Sequence, residues 1–163
     1  MLNQILAKIQ SLPDALNKVT AWKQSGEKII WTNGVFDLLH LGHIKYLCEA
    51  RSLGDRLVVG LNSDASVRRL KGPHRPINDQ ESRLYHMAAL QMTDLVVLFD
   101  QDTPIECILS LKPDVLAKGG DYDPRQVVGG KEALAWNGSV VIVPFESGFS
   151  STEIIRKIKS IPG

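Results

Sequence analysis

No apolar run in this chain approaches the ~20 residues that a bilayer-spanning helix needs, and neither sign of charge is in excess. Its 19 Lys and Arg offset 18 Asp and Glu, leaving a formal net charge of +1. That balance gives no electrostatic footprint for nucleic acid or for an anionic membrane. Glycine-rich fingerprints are missing too: neither GxGxxG nor GxxxxGK[ST] occurs, which removes the two commonest phosphate-loop motifs. The N-terminus lacks the basic segment and apolar stretch of a secretory signal. Cys48 and Cys107 each fall within a helical pattern, as expected of two thiols in a reducing compartment and not of a disulfide. The three tryptophans, Trp22, Trp31 and Trp136, are scattered and read as packing residues. His74 and His86 are the only histidines besides His40 and His43. With no third His or Cys pair at zinc-like spacing, no metal site is expected. These absences leave an ordinary cytoplasmic protein without nucleic-acid or membrane partners. Its 163 residues are enough for one domain with a substantial core, residues 1–26 forming a helical lead-in.

What the sequence does contain is a regular alternation. Short apolar stretches at 28–32, 56–62, 95–99, 115–118 and 139–144 are separated by helical patterns at 43–53, 64–70, 79–92, 104–111 and 130–137, with a last helix from 152 to about 160. Punctuation residues support these limits. Ser11 suits a helix N-cap; Thr103 before Pro104 reads as a cap followed by an N1 proline; Asn78 with Glu81 reads as a capping box; Gly26 and Gly138 suit helix ends. Strands alternating with helices predict an α/β fold, a Rossmann-like parallel five-stranded sheet with helices on both faces. In such sheets ligands bind beyond the carboxyl ends of the strands. The turn at 33–43 and the loops at 71–76, 119–123 and 146–151 then share one rim.

One segment on that rim is chemically loaded: Thr32-Asn33-Gly34-Val35-Phe36-Asp37-Leu38-Leu39-His40-Leu41-Gly42-His43. It reads as strand, turn, and a helix opened by two histidines around a glycine. A helix start offers unpaired backbone N–H groups and partial positive charge, which suits phosphate. Two imidazoles there add donors that can follow charge on a reacting phosphate. Lys71 precedes Gly-Pro-His-Arg-Pro, a loop from which a lysine can reach a triphosphate as a point charge. Arg83 lies on an amphipathic helix, where a surface ion pair is the ordinary alternative to a phosphate contact. Gly119-Gly120 after a strand permits close backbone approach or simply a turn. Asp121 could accept bonds from a base, a ribose or a sugar. Ser150, Ser151 and Thr152 at a helix start suit both capping and phosphate binding. Asp37 suits a brace for the turn better than a general base.

The string from Gly34 to His43 resembles the signature of the cytidylyltransferase-like nucleotidyltransferases, in which an HxGH pair holds nucleotide phosphates. The block from Leu61 through Lys71 to Pro76, the Asp102-Thr103-Pro104 triplet, the run from Lys112 through Lys118-Gly119-Gly120-Asp121-Tyr122, and Gly148-Phe149-Ser150-Ser151-Thr152 are similar in order to those of the ADP-heptose synthases. Arg83 falls where those enzymes carry a matching arginine. The resemblance implies transfer of AMP from ATP, with Mg²⁺, to D-glycero-β-D-manno-heptose 1-phosphate for the lipopolysaccharide inner core. It implies His40 and His43 on the α/β-phosphates, Lys71 on transition-state charge and Ser150 to Thr152 on the terminal phosphates. Asn33, Gly34, Val35, Phe36, Arg83, Lys118, Gly119 and Asp121 would complete the nucleotide site. It also implies a homodimer. Many of those enzymes are fused behind a sugar kinase; this chain carries none and begins with methionine and a helical lead-in, so a separate sugar kinase acting upstream is expected. Alternatives of the same chemistry are a cytidylyltransferase for glycerol 3-phosphate, or an adenylyltransferase for another phosphate such as FMN. The stretch from Pro144 to Phe149 lacks the arginine common before the serine turn of the glycerol-phosphate enzymes. A nucleotide-binding regulatory module is the alternative without catalysis.

Overall fold

The computed structural model describes residues 1–120, 123–144, 148 and 150–161. Their elements run α1 (Leu2–Leu6), β1 (Ile9–Gln10), α2 (Leu12–Gln24), β2 (Ile29–Gly34), α3 (Leu41–Ser52), β3 (Arg56–Asn62), α4 (Asp64–Lys71), α5 (Gln80–Ala89), β4 (Leu95–Phe99), α6 (Ile105–Leu111), β5 (Val115–Gly119), a 3₁₀ turn (Pro124–Gln126), α7 (Gly130–Ala135), β6 (Ser139–Val143) and α8 (Ser151–Lys159). The sheet is parallel and Rossmann-like as expected, in the order β1-β4-β3-β2-β5-β6.

It has six strands rather than five. The extra one is the Ile9–Gln10 pair, which aligns with Val96 and Val97 of β4. The lead-in is therefore not wholly helical. Two residues carry too little periodicity to register as a strand, and only the neighbouring edge of β4 makes them one.

Side chains alternate across the sheet with the period of two that a strand imposes. Ile30, Leu57, Val59, Leu61 and Val96 pack on one face with Leu47 of α3 and Met87 of α5. Ile29, Trp31, Val58, Leu95 and Val97 pack on the other with Ala15 and Val19 of α2 and Ile108 of α6. Burial on both faces explains why β2 and β3 read as continuous apolar runs rather than alternating ones.

Three caps differ from the sequence reading. Asp79, not Asn78, caps α5 by accepting from Ser82 N at 2.7 Å, because Asn78 is bonded to Asp37 instead. Thr103 is not the cap of α6, which starts one residue later with Pro104 at the cap and no side-chain bond. After α7 the left-handed residue is Asn137 (φ 63°), not Gly138. Ser11 does cap α2, accepting from Asp14 N at 3.3 Å.

Sheet order positions the site. From β2 the chain moves outward through β3 and β4, then crosses back to place β5 on the other side of β2. That reversal is the switch point where open α/β sheets bind ligands. The β2–β3 ladder runs the full length of β2, from Ile29 to Gly34. The β2–β5 ladder holds only Ile30↔Val115 and Trp31↔Leu116. Beyond Trp31 the two strands part, and the carboxyl end of the sheet opens.

Candidate nucleotide site

Tyr46 sits where the β2–β5 ladder stops. Its hydroxyl donates to Ala117 O at 3.0 Å and lies 2.5 Å from Thr32 Oγ1, so a side chain bridges the strands one residue beyond the last backbone pair. Burial holds its phenol protonated, with a pKa pushed up to about 12. The bridge fixes how far β2 and β5 separate.

Above it lies a cleft of about 500 Å³ lined by Asn33, Gly34, Val35, Phe36, Asp37, His43, Tyr46, Asn62, Leu70, Lys71, Arg75, Asp102, Thr103, Pro104, Lys118, Gly119, Val128 and Ser151. That volume suits a nucleotide-sized ligand. Nine of the residues expected at the nucleotide site thus share one cavity: Asn33, Gly34, Val35, Phe36, His43, Lys71, Lys118, Gly119 and Ser151. His40 and Ser150 line an adjoining hollow of about 370 Å³ with Arg156 and Lys157. The two histidines divide the hollows between them.

The turn entering α3 is shaped by close contacts. Phe36 adopts a left-handed backbone (φ 45°), uncommon for an aromatic residue, and its ring meets His43 edge-on at 5.3 Å. A Cβ at position 34 would lie 2.9 Å from the Phe36 ring, so only glycine lets the ring lie there. His40 occupies the N-cap position of α3 without making a side-chain cap bond, which leaves the first N–H groups of the helix open to an anion. The His40 and His43 rings stack at 3.7 Å. Their Nδ1 atoms are buried with no hydrogen-bond partner among the described residues. Burial, then the neighbouring His40 and Lys71, depress the His43 pKa to about 4; burial lowers that of His40.

Cations gather on this cleft. Lys71 ends α4, its ammonium held below the ordinary lysine range by partial burial and by Arg75, with Asp37 acting in the opposite direction. Burial likewise lowers Lys118. Ser151 Oγ donates to Leu38 O at 3.3 Å, pinning the start of α8 to the turn that enters α3. Ser150 Oγ accepts from Glu153 N at 3.1 Å.

Some expected site residues are elsewhere. Arg83 was expected on phosphate, yet its side chain is 0% exposed. Its guanidinium donates to Asn78 O (3.1 Å), Val35 O (2.8 Å), Asn62 O (2.9 Å) and Asp64 Oδ1 (2.7 Å). It lies beneath the cleft, tying together the turn after β2, the end of β3, the start of α4 and the loop before α5. Helical periodicity places it correctly on α5, but a buried arginine saturated by carbonyls cannot be told from a surface one by spacing. Thr152 is exposed and lines neither hollow. Asp121 lies outside the described residues.

Asp37 is a brace, though not of its own turn. Its carboxylate, 1% exposed, accepts from Ile77 N (2.9 Å), Asn78 N (2.8 Å) and Arg75 Nε (2.8 Å). Burial alone would raise its pKa; these donors outweigh burial and hold it below the usual carboxylate value. Reasoning from sequence missed Tyr46, Asn62, Leu70, Arg75, Asp102, Thr103, Pro104 and Val128 as cleft residues. Arg75 carried a signal, being a second cation four residues after Lys71 on a loop between prolines.

No group of three or more His, Cys, Asp or Glu able to hold a metal ion occurs among the described residues, and no helix there is long and apolar enough to cross a membrane.

A doubly wound sheet, a cleft at its switch point and an HxGH helix start lined by cations define an α/β phosphate-binding domain of the nucleotidyltransferase type. The cytidylyltransferase-like family model matches residues 31–157, and the chain belongs to that family. It is 50% identical over 153 residues to the bifunctional protein HldE of Methylobacillus flagellatus, covering 94% of this chain and 31% of that protein. With HldE of Cronobacter sakazakii it shares 54% identity over 141 residues, 86% of this chain and 30% of the relative. The chain thus spans about a third of the length of these relatives. Being named bifunctional, they lend no support to the expected separate upstream kinase. Among solved structures, the lipopolysaccharide core biosynthesis protein from Thermoplasma volcanium superposes with a TM-score of 0.61 at 33% identity, over 74% of this chain and 98% of that one.

Proposed function

We propose that this chain is an adenylyltransferase that transfers AMP from ATP to D-glycero-β-D-manno-heptose 1-phosphate, releasing pyrophosphate. The observation that carries the reading is the convergence of His43, Lys71, Lys118 and the open start of α3 on one cleft. Similarity to the HldE proteins supports the choice of ADP-heptose synthesis.

The chemistry needs little beyond positioning. A phosphate monoester, with its second pKa near ~6, is already an anionic nucleophile at neutral pH. A general base is unnecessary. The acceptor oxygen attacks the α-phosphorus, the bond from that phosphorus to the α,β-bridging oxygen breaks, and pyrophosphate leaves carrying that oxygen and the electron pair. His43 enters the site neutral, so it donates an N–H to the α-phosphate without the cost of burying a charge. The negative charge of an arriving triphosphate opposes the burial and the neighbouring positive groups that depress its pKa, and the imidazole can then take up positive charge as charge develops. His40 faces the adjoining hollow with Ser150 and is assigned to the leaving pyrophosphate, Lys71 to the transferring phosphoryl group. Asp121 is assigned to the nucleoside as part of the same proposal. Mg²⁺ would be brought by ATP and would offset part of the triphosphate's charge, the described residues of this chain forming no His, Cys, Asp or Glu cluster to hold it. A homodimer belongs to the same reading, and sedimentation of the purified chain checks it.

Incubation with ATP or CTP and a panel of phosphates (heptose 1-phosphate, glycerol 3-phosphate, FMN), read by pyrophosphate release, tests the reading. Turnover is expected with ATP and heptose 1-phosphate; preference for CTP with glycerol 3-phosphate overturns it, and release with no pair points to a binding module.

A further inference from the structure

Arg75 is a cation of the cleft to which no phosphate has been assigned. Arg75 lines the same wall as Lys71 and His43, with its side chain 17% exposed. Its backbone is fixed by a tight turn: Arg75 N donates to Gly72 O at 3.2 Å, and Gly72 sits at φ 93°. Its Nε is spent on Asp37 Oδ2 at 2.8 Å. Its two terminal nitrogens bond no described residue. Asp37 cannot swing away with it, since the same carboxylate also holds Ile77 N and Asn78 N. The guanidinium is therefore anchored through one edge and presents the other.

Reaction at this site requires two anions in contact, a triphosphate and a phosphate monoester. Their mutual repulsion must be offset by cations on both. Lysine serves as a mobile point charge; a fixed guanidinium fork matches the oxygens of a phosphate through two parallel N–H bonds. Lys71, at a helix end on a long stem, suits the phosphoryl group that changes position. Arg75, rigid and preoriented, suits a phosphate that must be held at one angle for in-line attack.

We infer that Arg75, held in place by Asp37, is the residue that grips the acceptor's phosphate and sets its angle of attack. The inference rests on the proposed transfer to a sugar 1-phosphate and adds the acceptor's recognition element. It makes the phosphate monoester, not the sugar, the part of the acceptor read by this loop.

The test uses wild type, Arg75→Lys and Arg75→Gln, with turnover against heptose 1-phosphate and ATP varied separately. Calorimetry then measures heptose 1-phosphate binding to protein saturated with a non-hydrolysable ATP analogue. The expected result is a ~10–100-fold rise in acceptor KM with ATP-analogue affinity within about threefold of wild type, and little rescue by lysine, which lacks the fork. Unchanged acceptor KM and binding overturn the inference alone. Equal weakening of the ATP analogue also overturns it, by moving Arg75 to the triphosphate, as does a loss confined to thermal stability. Wild-type acceptor binding that Arg75→Gln abolishes, without turnover, upholds the phosphate grip and refutes the transfer reaction. Neither binding nor turnover by wild type overturns both.

Discussion

The imidazoles of His40 and His43 are stacked, ring centroids 3.7 Å apart and 21° from parallel, so two groups that could both carry charge face each other across van der Waals distance. Such an arrangement is stable only while at most one ring is protonated, and a bound polyphosphate is what relieves the repulsion. The free protein holds His43 neutral, with a pKa near 4.

Replacing His43 by alanine should lower kcat by about 10²–10³-fold, the usual effect of removing one donor aimed at developing charge. The fold should survive, because His43 contributes a ring edge and not a core contact. Pyrophosphate release gives the rate and circular dichroism the fold; near-normal turnover would remove His43 from the phosphates.

Stability should depend on pH through the same ring. An unfolded histidine titrates near 6.5 and folded His43 near 4, so between these values the unfolded chain binds a proton that the folded one refuses. Stability therefore falls as pH drops from 6.5 towards 4. Asp37, depressed below its ordinary 3.8, contributes stability above that value that is lost at lower pH. Urea titrations across pH should show His43→Gln reducing the slope of the first window, His40 supplying what remains, while the Asp37 window is unchanged. Wild-type stability that is level from pH 6.5 to 4.5 would contradict the assignment.

ATP binding should draw a proton onto the histidine pair near pH 6, since the incoming anion favours the charged imidazole. Calorimetry in two buffers of different ionisation enthalpy reads this proton directly. Identical apparent enthalpies would mean that the rings stay neutral.

Arg83→Met should cost roughly 3–5 kcal/mol of folding stability, because it leaves Asp64 and three carbonyls without their cation. A phosphate ligand would behave otherwise, losing ATP affinity at unchanged stability, and chemical denaturation beside ATP titration separates the two outcomes.

Asp37→Asn should destabilise by roughly 2–4 kcal/mol, through loss of the charge that binds Arg75 and two backbone N–H groups. It should also raise hydrogen exchange at Ile77 and Asn78; unchanged protection there would show the loop to be held by something else.

Much of the site was legible because its parts are local. A strand, a turn and a helix start are contiguous in residues 29–43, so the HxGH turn announces its own geometry, and Lys71, Lys118 and Ser151 each lie at or next to the end of a recognisable element. Arg83 was misplaced for a physical reason. Spacing fixes the face of α5 on which it lies, but whether that face meets solvent or four oxygens depends on β2, β3 and α4 together. Tyr46 was missed because its role exists only where two strands distant in sequence part company. Arg75 was missed because its orientation depends on a carboxylate 38 residues away.

The sequence by itself determined the α/β alternation, the phosphate-seeking helix start and the order of the charged loops, since each depends on contacts within a few residues. The tertiary structure decided which cations reach the cleft, which one is buried beneath it, and how wide the cleft opens. Those outcomes turn on strand order and on single long-range bonds from Tyr46, Asp37 and Arg83, whose partners no local pattern names.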